Sequence, residues 1–462
     1  MNNKKKNKAS SSFRDPSGFL FYKNNEIYRQ VNIIYKENYD YLMKSGLYKK
    51  LIKKNLLISH EEENIKLALS DDAYKVIKPQ QIPFVSYPYE WCFSQLKAAA
   101  LVTLEIQKIA LKFGMSLKDA SAYNIQFLGY RPIFIDTLSF EKYIEGRPWI
   151  AYKQFCQHFL APLALMAHRD VRLNQLLRIH IDGIPLDLAS KLLPRRTWYK
   201  MSLLLHIHLH AKSQKHFAKK TNEKDFIRKK FTPHSFLALI DNLESSIKKL
   251  EWKPGDTEWK NYYEGDSYEL GSFKHKQKTV SGFLDEIQPR TVWDLGANTG
   301  IFSRIAKNKR ALTVSFDVDP ACVEINYRLT LKNKEINILP LLIDLTNPSP
   351  GIGWENNERN SFIKRGPVDT ILALALIHHL AISNNLPFDK IAKFLRKICN
   401  SLIIEFIPKS DIKVKRLLSM REDIFSEYTQ RNFEEKFDKY FKIKASAKIK
   451  NSERILYLMI RK

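Results

Sequence analysis

From residue 291 onward, short continuous apolar runs alternate with stretches of helical periodicity. Thr291-Val292-Trp293-Asp294-Leu295 is a β-rich run that meets Gly296-Ala297-Asn298-Thr299-Gly300 and then a helical stretch beginning Ile301-Phe302. Residues 311–317 and 338–344 are two further β-rich runs, ending in Asp317 and Asp344, and residues 368–376 and 401–406 supply a fourth and a fifth. Strands that alternate with helices predict a parallel sheet with crossover helices. Beyond residue 421, Phe433, Phe437, Tyr440 and Phe441 precede alternating Ile455, Tyr457 and Met459, which predict a last helix and antiparallel strands.

The N-terminal half has a different rhythm. Residues 18–31 alternate around Asn24-Asn25, a hairpin signal, and residues 39–57 have helical spacing. Residues 74–85 read as extended because Pro79 and Pro83, with Pro88 beyond, stop any helix, and residues 91–113 predict one long buried helix. Residues 150–250 read as mostly helical. Residues 251–273 change character, with Trp252, Trp259, Tyr262, Tyr263 and Tyr268 set among Gly, Pro and acids, and residues 274–287 predict a helix leading into the first strand of the sheet.

The turn at 296–300 carries the first candidate chemistry. Gly296 and Gly300 permit backbone angles that a side chain forbids and let a ligand approach the main chain at the start of a helix. The spacing is neither the G-x-G-x-x-G of a dinucleotide fold nor the G-x-x-x-x-G-K-[ST] of a phosphate loop. An acid one residue before the first glycine and a second glycine four residues later suit a ligand with an amino-acid end. Here the chain resembles the class I S-adenosylmethionine methyltransferases, whose first motif is similar to D-x-G-x-x-x-G. The resemblance implies a Rossmann-like seven-stranded α/β sheet and S-adenosyl-L-methionine as cofactor. It assigns cofactor binding to Asp294, Gly296, Asn298, Gly300, Asp317 and Asp344, with Asp319 able to share the ribose role. Taken together with Asn347-Pro348-Ser349-Pro350, Arg421-Glu422-Asp423 and Ser452-Glu453-Arg454, residues 260–462 resemble a bacterial methyltransferase group that includes nodulation-protein relatives.

Methyl transfer from a sulfonium gains most from positioning and exclusion of water, and needs a general base only where the acceptor loses a proton early. The loop after the fourth strand, Ile377-His378-His379-Leu380, lines the acceptor pocket in that superfamily, so His379, His378 and Glu405 are the catalytic candidates. His379 reads equally as a base or as a shaped wall, and Glu405 also as a helix cap. The Asn-Pro-Ser-Pro run at 347–350 follows the third strand rather than the fourth, where an amino-methylating DNA enzyme would carry its motif.

A second segment carries an acid, an Asn five residues on, and a hairpin ending in another acid: Asp119, Asn124 and Asp136. It resembles the catalytic loop and metal-binding acid of the protein-kinase and aminoglycoside-phosphotransferase superfamily, where such residues orient an acceptor hydroxyl and hold magnesium against phosphates. The chain departs from that pattern: Leu117 stands where His is usual, Thr137-Leu138 where Phe-Gly would stand, and neither a glycine-rich loop nor a strand Lys paired to a helix Glu accompanies it. A degenerate kinase-like lobe that holds a substrate or partner is the expectation.

Composition limits the partners. With 44% hydrophobic and 12% aromatic residues the chain can build cores for two or three domains. A net charge of +27 admits a polyanion, but Lys is spread along the chain rather than clustered, so nucleic acid is not favoured. The run Lys212, Lys215, Lys219, Lys220, Lys224, Arg228, Lys229, Lys230 is the candidate if one binds. His206, His208 and His210 lack the Glu and third ligand of a zinc site, and Cys92, Cys156, Cys322 and Cys399 have no paired spacing, so no metal is expected. No signal peptide or membrane-length apolar run is read, which points to a cytoplasmic protein.

The expected organisation is a basic tail at 1–12, an α+β kinase-like domain at 13–170, a helical region at 171–250, a linker and entry flap at 251–290, and the methyltransferase domain at 291–462. The expected activity is methyl transfer to an unidentified acceptor. A non-catalytic cofactor-binding adaptor and an RNA- or DNA-modifying methyltransferase are the alternatives.

Overall fold

The computed structural model describes residues 8–24, 26–211, 232–255, 270–419 and 422–462. The basic run from Lys212 to Lys230, the aromatics Trp259, Tyr262, Tyr263 and Tyr268, Arg421 and most of the N-terminal tail lie outside the described residues. The chain divides into two compact units: Met1–Lys253 with Gly351–Arg359, and Pro254–Pro350 with Asn360–Lys462.

In the first unit, strands β1 (Gly18–Lys23) and β2 (Glu26–Asn32) form the hairpin, with Lys23 opposite Glu26 and Asn24 at φ 52° in the turn. Strands β3 (His60–Glu63) and β4 (Ala73–Pro79) complete an antiparallel sheet of order β1-β2-β4-β3. Helices α1 (Lys36–Lys44) and α2 (Leu47–Lys53) divide the helical segment expected at 39–57, because Gly46 between them sits at φ 85°. Val31, Tyr35, Tyr39, Ile77 and Leu138 pack together on that sheet.

The long helix, α3 (Phe93–Lys112), buries Leu96, Ala99, Ala100 and Leu104 completely. Behind it β5 (Met115–Leu117) pairs with β8 (Phe140–Lys142), and β6 (Ile125–Leu128) pairs with β7 (Arg131–Phe134). Asp119, Asn124 and Asp136 therefore sit in the connections between these short ladders. The rest of the unit is mainly helical, including α4 (Ala161–His168) and α5 (Pro233–Lys249). Two of its histidines, His206 and His208, are hydrogen-bonded core groups: His206 meets the Tyr152 hydroxyl at 2.7 Å and Asn242 Oδ1 at 2.8 Å. His208 meets Ser190 at 2.8 Å and Thr197 at 3.0 Å, and stacks on Trp198.

The second unit is a seven-stranded sheet between helices. Its strands are β9 (Thr291–Leu295), β10 (Leu312–Asp317), β11 (Ile338–Leu342), β12 (Val368–Ala373), β13 (Cys399–Phe406), β14 (Phe441–Lys448) and β15 (Ile455–Arg461). The order is β11-β10-β9-β12-β13-β15-β14, parallel from β11 to β13 and antiparallel at β15 and β14. The chain thus winds outward from β9 to β11, then returns to the other side of β9 with β12. A sheet that reverses in this way opens a crevice at the carboxyl ends of the two central strands.

Helix α6 (Leu270–Ile287) and helix α7 (Ile301–Asn308) cover one face, burying Val280, Leu284, Phe302 and Ala306 against Val292, Leu372, Ile403 and Leu458. On the other side of the sheet's aromatic core, Trp293 packs against Phe362 at 4.8 Å and Phe316 against Phe362 at 5.3 Å. Strands buried on both faces explain why the apolar runs in β9 to β13 are continuous rather than alternating.

Candidate active site

Gly296 and Ala297 both donate their backbone N–H to the Phe316 carbonyl at 2.9 Å, which folds the glycine turn over the end of β10. The next amide, Asn298 N–H, donates to Asp317 Oδ2 at 2.7 Å, while Asp317 Oδ1 accepts from Asp319 N–H at 2.9 Å. Asp317 is thereby fixed beside the turn but remains partly exposed, with lone pairs left for a ligand. Burial is the main cause pushing its pKa up to about 6, and Asp319 adds to it. Ile343 N–H donates to the Asp317 carbonyl, so the end of β11 is tied to the same point.

The other expected cofactor residues separate by environment. Asp294 is buried beneath the turn and accepts from Ser303 Oγ of α7 at 2.6 Å. Burial pushes it up to about 7, with Asp317 contributing. Asn298 takes the left-handed conformation, φ 52°, and its own Oδ1 accepts from Thr299 N–H. Gly296, at φ 74°, faces open space as far as Leu376, whose Cδ1 would lie 3.5 Å from an added Cβ. Gly300, at φ 81°, is packed: a Cβ there would come within 2.5 Å of Asn326 and 2.7 Å of Arg304. Asp344 is exposed and accepts from Thr346 N–H and Oγ1. Asp319 caps helix α8 (Pro320–Lys332) through Ala321 N–H, a structural use the spacing alone did not reveal. Sequence reasoning passed over Val318, which is 61% exposed beside Asp317.

Across the crevice, β12 ends in a turn in which Ala375 takes φ 50°. His378 follows, fully buried with neither ring nitrogen hydrogen-bonded, and burial first, then the charges of His379, Arg454, Lys276 and Lys413, hold its pKa well below the ordinary histidine value. His379 is partly exposed and its ring lies 4.0 Å from that of His378. Glu405, at the end of β13, is fully buried, and its Oε2 accepts from Ala375 N–H at 2.7 Å and from Lys276 Nζ at 2.6 Å. Burial works against its charge, but Lys276 and Arg454 prevail and its pKa is lowered. A cavity of about 250 Å³ opens beyond this loop, lined by Asn385, Leu386, Phe388, Phe425, Tyr428 and Asn432.

In the first unit Asp119, Asn124 and Asp136 do converge. Asn124 Nδ2 donates to Ser139 Oγ, and Ser139 Oγ donates to Asp136 Oδ2. Asp119 accepts from Ser121 N–H, and burial and then the Asp136 charge raise its pKa. The sequence offered no strand lysine here. Arg29 of β2 pairs with Asp136 rather than with a helix glutamate. Among the described residues no group of three or more His, Cys, Asp or Glu is arranged to hold a metal ion, and no helix is long and apolar enough to cross a membrane.

Comparison with known proteins decides the family. Over 456 residues the chain is 34% identical to nodulation protein NoeA of Rhizobium meliloti strain 1021, covering 97% of this chain and 95% of that one. The chain belongs to the NoeA family. No model of a protein family matches it. Solved structures similar to this NoeA-family chain include magnesium protoporphyrin IX methyltransferase (ChlM) from Synechocystis PCC 6803 with bound S-adenosylhomocysteine, at 16% identity and TM-score 0.32, covering 44% of this chain and 93% of that one. N-methyltransferase NodS from Bradyrhizobium japonicum WM9 is 9% identical at TM-score 0.30, over 42% of this chain and 98% of that one. The bifunctional kinase-methyltransferase WbdD is 17% identical at TM-score 0.29, over 43% of this chain and 42% of that one.

Proposed function

We propose that this NoeA-family chain is a methyltransferase that uses S-adenosyl-L-methionine, with its site at the carboxyl ends of β9, β10 and β12. The observation that carries the reading is Asp317: a carboxylate held by the glycine-turn amide of Asn298, partly exposed, at the reversal point of the sheet. Such a carboxylate is placed to accept from a ribose diol. Exposed Val318 offers an apolar surface for a base, and Gly296 leaves room for the amino-acid end. The residues present therefore fit the cofactor. When bound, it supplies an electrophilic methyl group on a sulfonium.

The chain's own contribution is orientation. The loop 375–379 closes the crevice opposite Gly296, and partly exposed His379, rather than buried His378, is the group able to meet an acceptor. The cavity beside Phe388 and Tyr428 gives the acceptor's apolar part a place to bury. In the first unit, the Arg29–Asp136 pair supports a degenerate kinase-like lobe that serves as scaffold rather than phosphotransferase.

The test is calorimetric titration with S-adenosylhomocysteine, repeated on Asp317→Ala. Micromolar binding by the wild type and at least tenfold loss in the variant are expected. Absence of binding by both would refute the cofactor reading, and the cofactor-binding adaptor with it.

A further inference from the structure

Glu405 stands at the centre of a buried row of alternating charges. Lys276 of α6 and Glu405 are 1% and 0% exposed, and Arg454, 2% exposed, stands 3.6 Å from Glu405 Oε1. Arg454 in turn holds Asp411 with two hydrogen bonds, Nε to Oδ2 at 2.7 Å and Nη2 to Oδ1 at 3.2 Å. An ion pair in so dry a place adds little net stability over an apolar pair of similar volume, so stability alone does not account for the row. What it does hold is a backbone amide. Glu405 Oε2 accepts from Ala375 N–H, at a residue with a side chain in the left-handed region, where the backbone is strained.

Ala375 is the hinge between β12 and the loop that carries Leu376, His378 and His379, and Leu376 is the side chain facing Gly296. We propose that Glu405 is a positioning residue: from its place in the buried row, its carboxyl oxygen pins the Ala375 amide and so sets the loop that closes the site opposite the glycine turn. The inference rests on the proposed site at β9 and β12. It gives Glu405 a role that needs no proton transfer. A carboxylate bound by Lys276 and an amide is a poor general base, and its lowered pKa agrees with that.

Two double variants test it. Lys276→Met with Glu405→Gln removes the ion pair and keeps an oxygen able to accept from Ala375 N–H. Lys276→Met with Glu405→Leu removes the pair and the acceptor together. Both avoid a lone buried charge on Lys276 or Glu405, so both are expected to fold. Amide hydrogen exchange of the peptide spanning 374–380 is expected to stay within about threefold of wild type in the first, and to accelerate at least tenfold in the second. S-adenosylhomocysteine affinity is expected to follow the same split. Equal exchange in the two folded variants would overturn the positioning role. Exchange that splits as expected in a protein that does not bind the cofactor would uphold the pin and refute the cofactor reading instead. If the Leu variant does not fold, Lys276→Met with Glu405→Met, which removes the same acceptor with an unbranched side chain, replaces it, with the same exchange readout on residues 374–380 and the same two outcomes.

Discussion

Ser303, on the first turn of α7, donates its hydroxyl to Asp294 at 2.6 Å and accepts in turn from Ser315 Oγ at 2.7 Å, so the acid of the glycine turn faces inward to the helix. Its pKa of about 7, against an ordinary 3.8, has a consequence for pH. A group whose folded pKa is raised contributes stability that is fully present below the unfolded value and is lost as pH rises through the folded one. The window is therefore about pH 4 to 7. Asp294→Asn mimics the protonated acid, and we expect its melting temperature to exceed that of the wild type at pH 8, by the equivalent of a few kcal/mol, and to converge with it only near pH 4. Thermal melts across that range check this, and parallel curves would refute it. Asp317, raised to about 6, leaves a smaller slope in both proteins.

The two glycines of the turn should fail differently. Gly300→Ala places a Cβ 2.5 Å from Asn326 at φ 81°, so the fold itself bears the cost, roughly 2–4 kcal/mol in urea unfolding. Gly296→Ala meets nothing closer than 3.5 Å and costs only about 1 kcal/mol for its positive φ. Its larger effect is expected on S-adenosylhomocysteine, with affinity reduced at least tenfold. Calorimetry on both variants distinguishes a packing glycine from a ligand-facing one. Equal affinity losses per unit of lost stability would contradict the distinction.

The segment Gly351–Arg359 is held in the first unit by named contacts. Arg14 grips Glu358 with Nε at 2.7 Å and Nη2 at 3.0 Å, Ser10 donates to the Asn357 carbonyl at 2.6 Å, and the Arg359 guanidinium lies 4.5 Å from the Tyr123 ring centre. Glu358 is almost fully buried, and although burial opposes its charge, Arg14 and the Trp354 amide keep its pKa low. Arg14→Ala is expected to raise the rate of tryptic cleavage after Arg359 about tenfold, at pH 8, with the rest of the digestion pattern unchanged apart from the site lost at residue 14. An unaltered rate would mean that the segment is held without that pair.

Local patterns carried the second unit well into view. The run from Thr291 to Gly300 specifies strand, turn and helix within ten residues, and the acids at 317 and 344 mark strand ends by position alone. What lay out of reach is set by contacts across long separations. Glu405 could be read as a base because its partner Lys276 stands 129 residues away, and nothing near Ala375 announces a positive φ in a residue with a Cβ. The pairing of Arg29 on β2 with Asp136 likewise joins residues far apart in the sequence. Asp319 lies between the two cases, since an acid followed by Pro320 is also the ordinary start of a helix.

The nine-residue excursion at 351–359 bears on how this protein can be inherited and dissected. A fragment starting at residue 254 would carry a hairpin whose mates, Ser10, Arg14 and Tyr123, had been left behind, including a buried Glu358 stripped of its cation. The two halves are therefore not interchangeable cassettes. Exchange of either half between relatives succeeds only if the hairpin travels with the N-terminal portion, although the genetic order places it in the other.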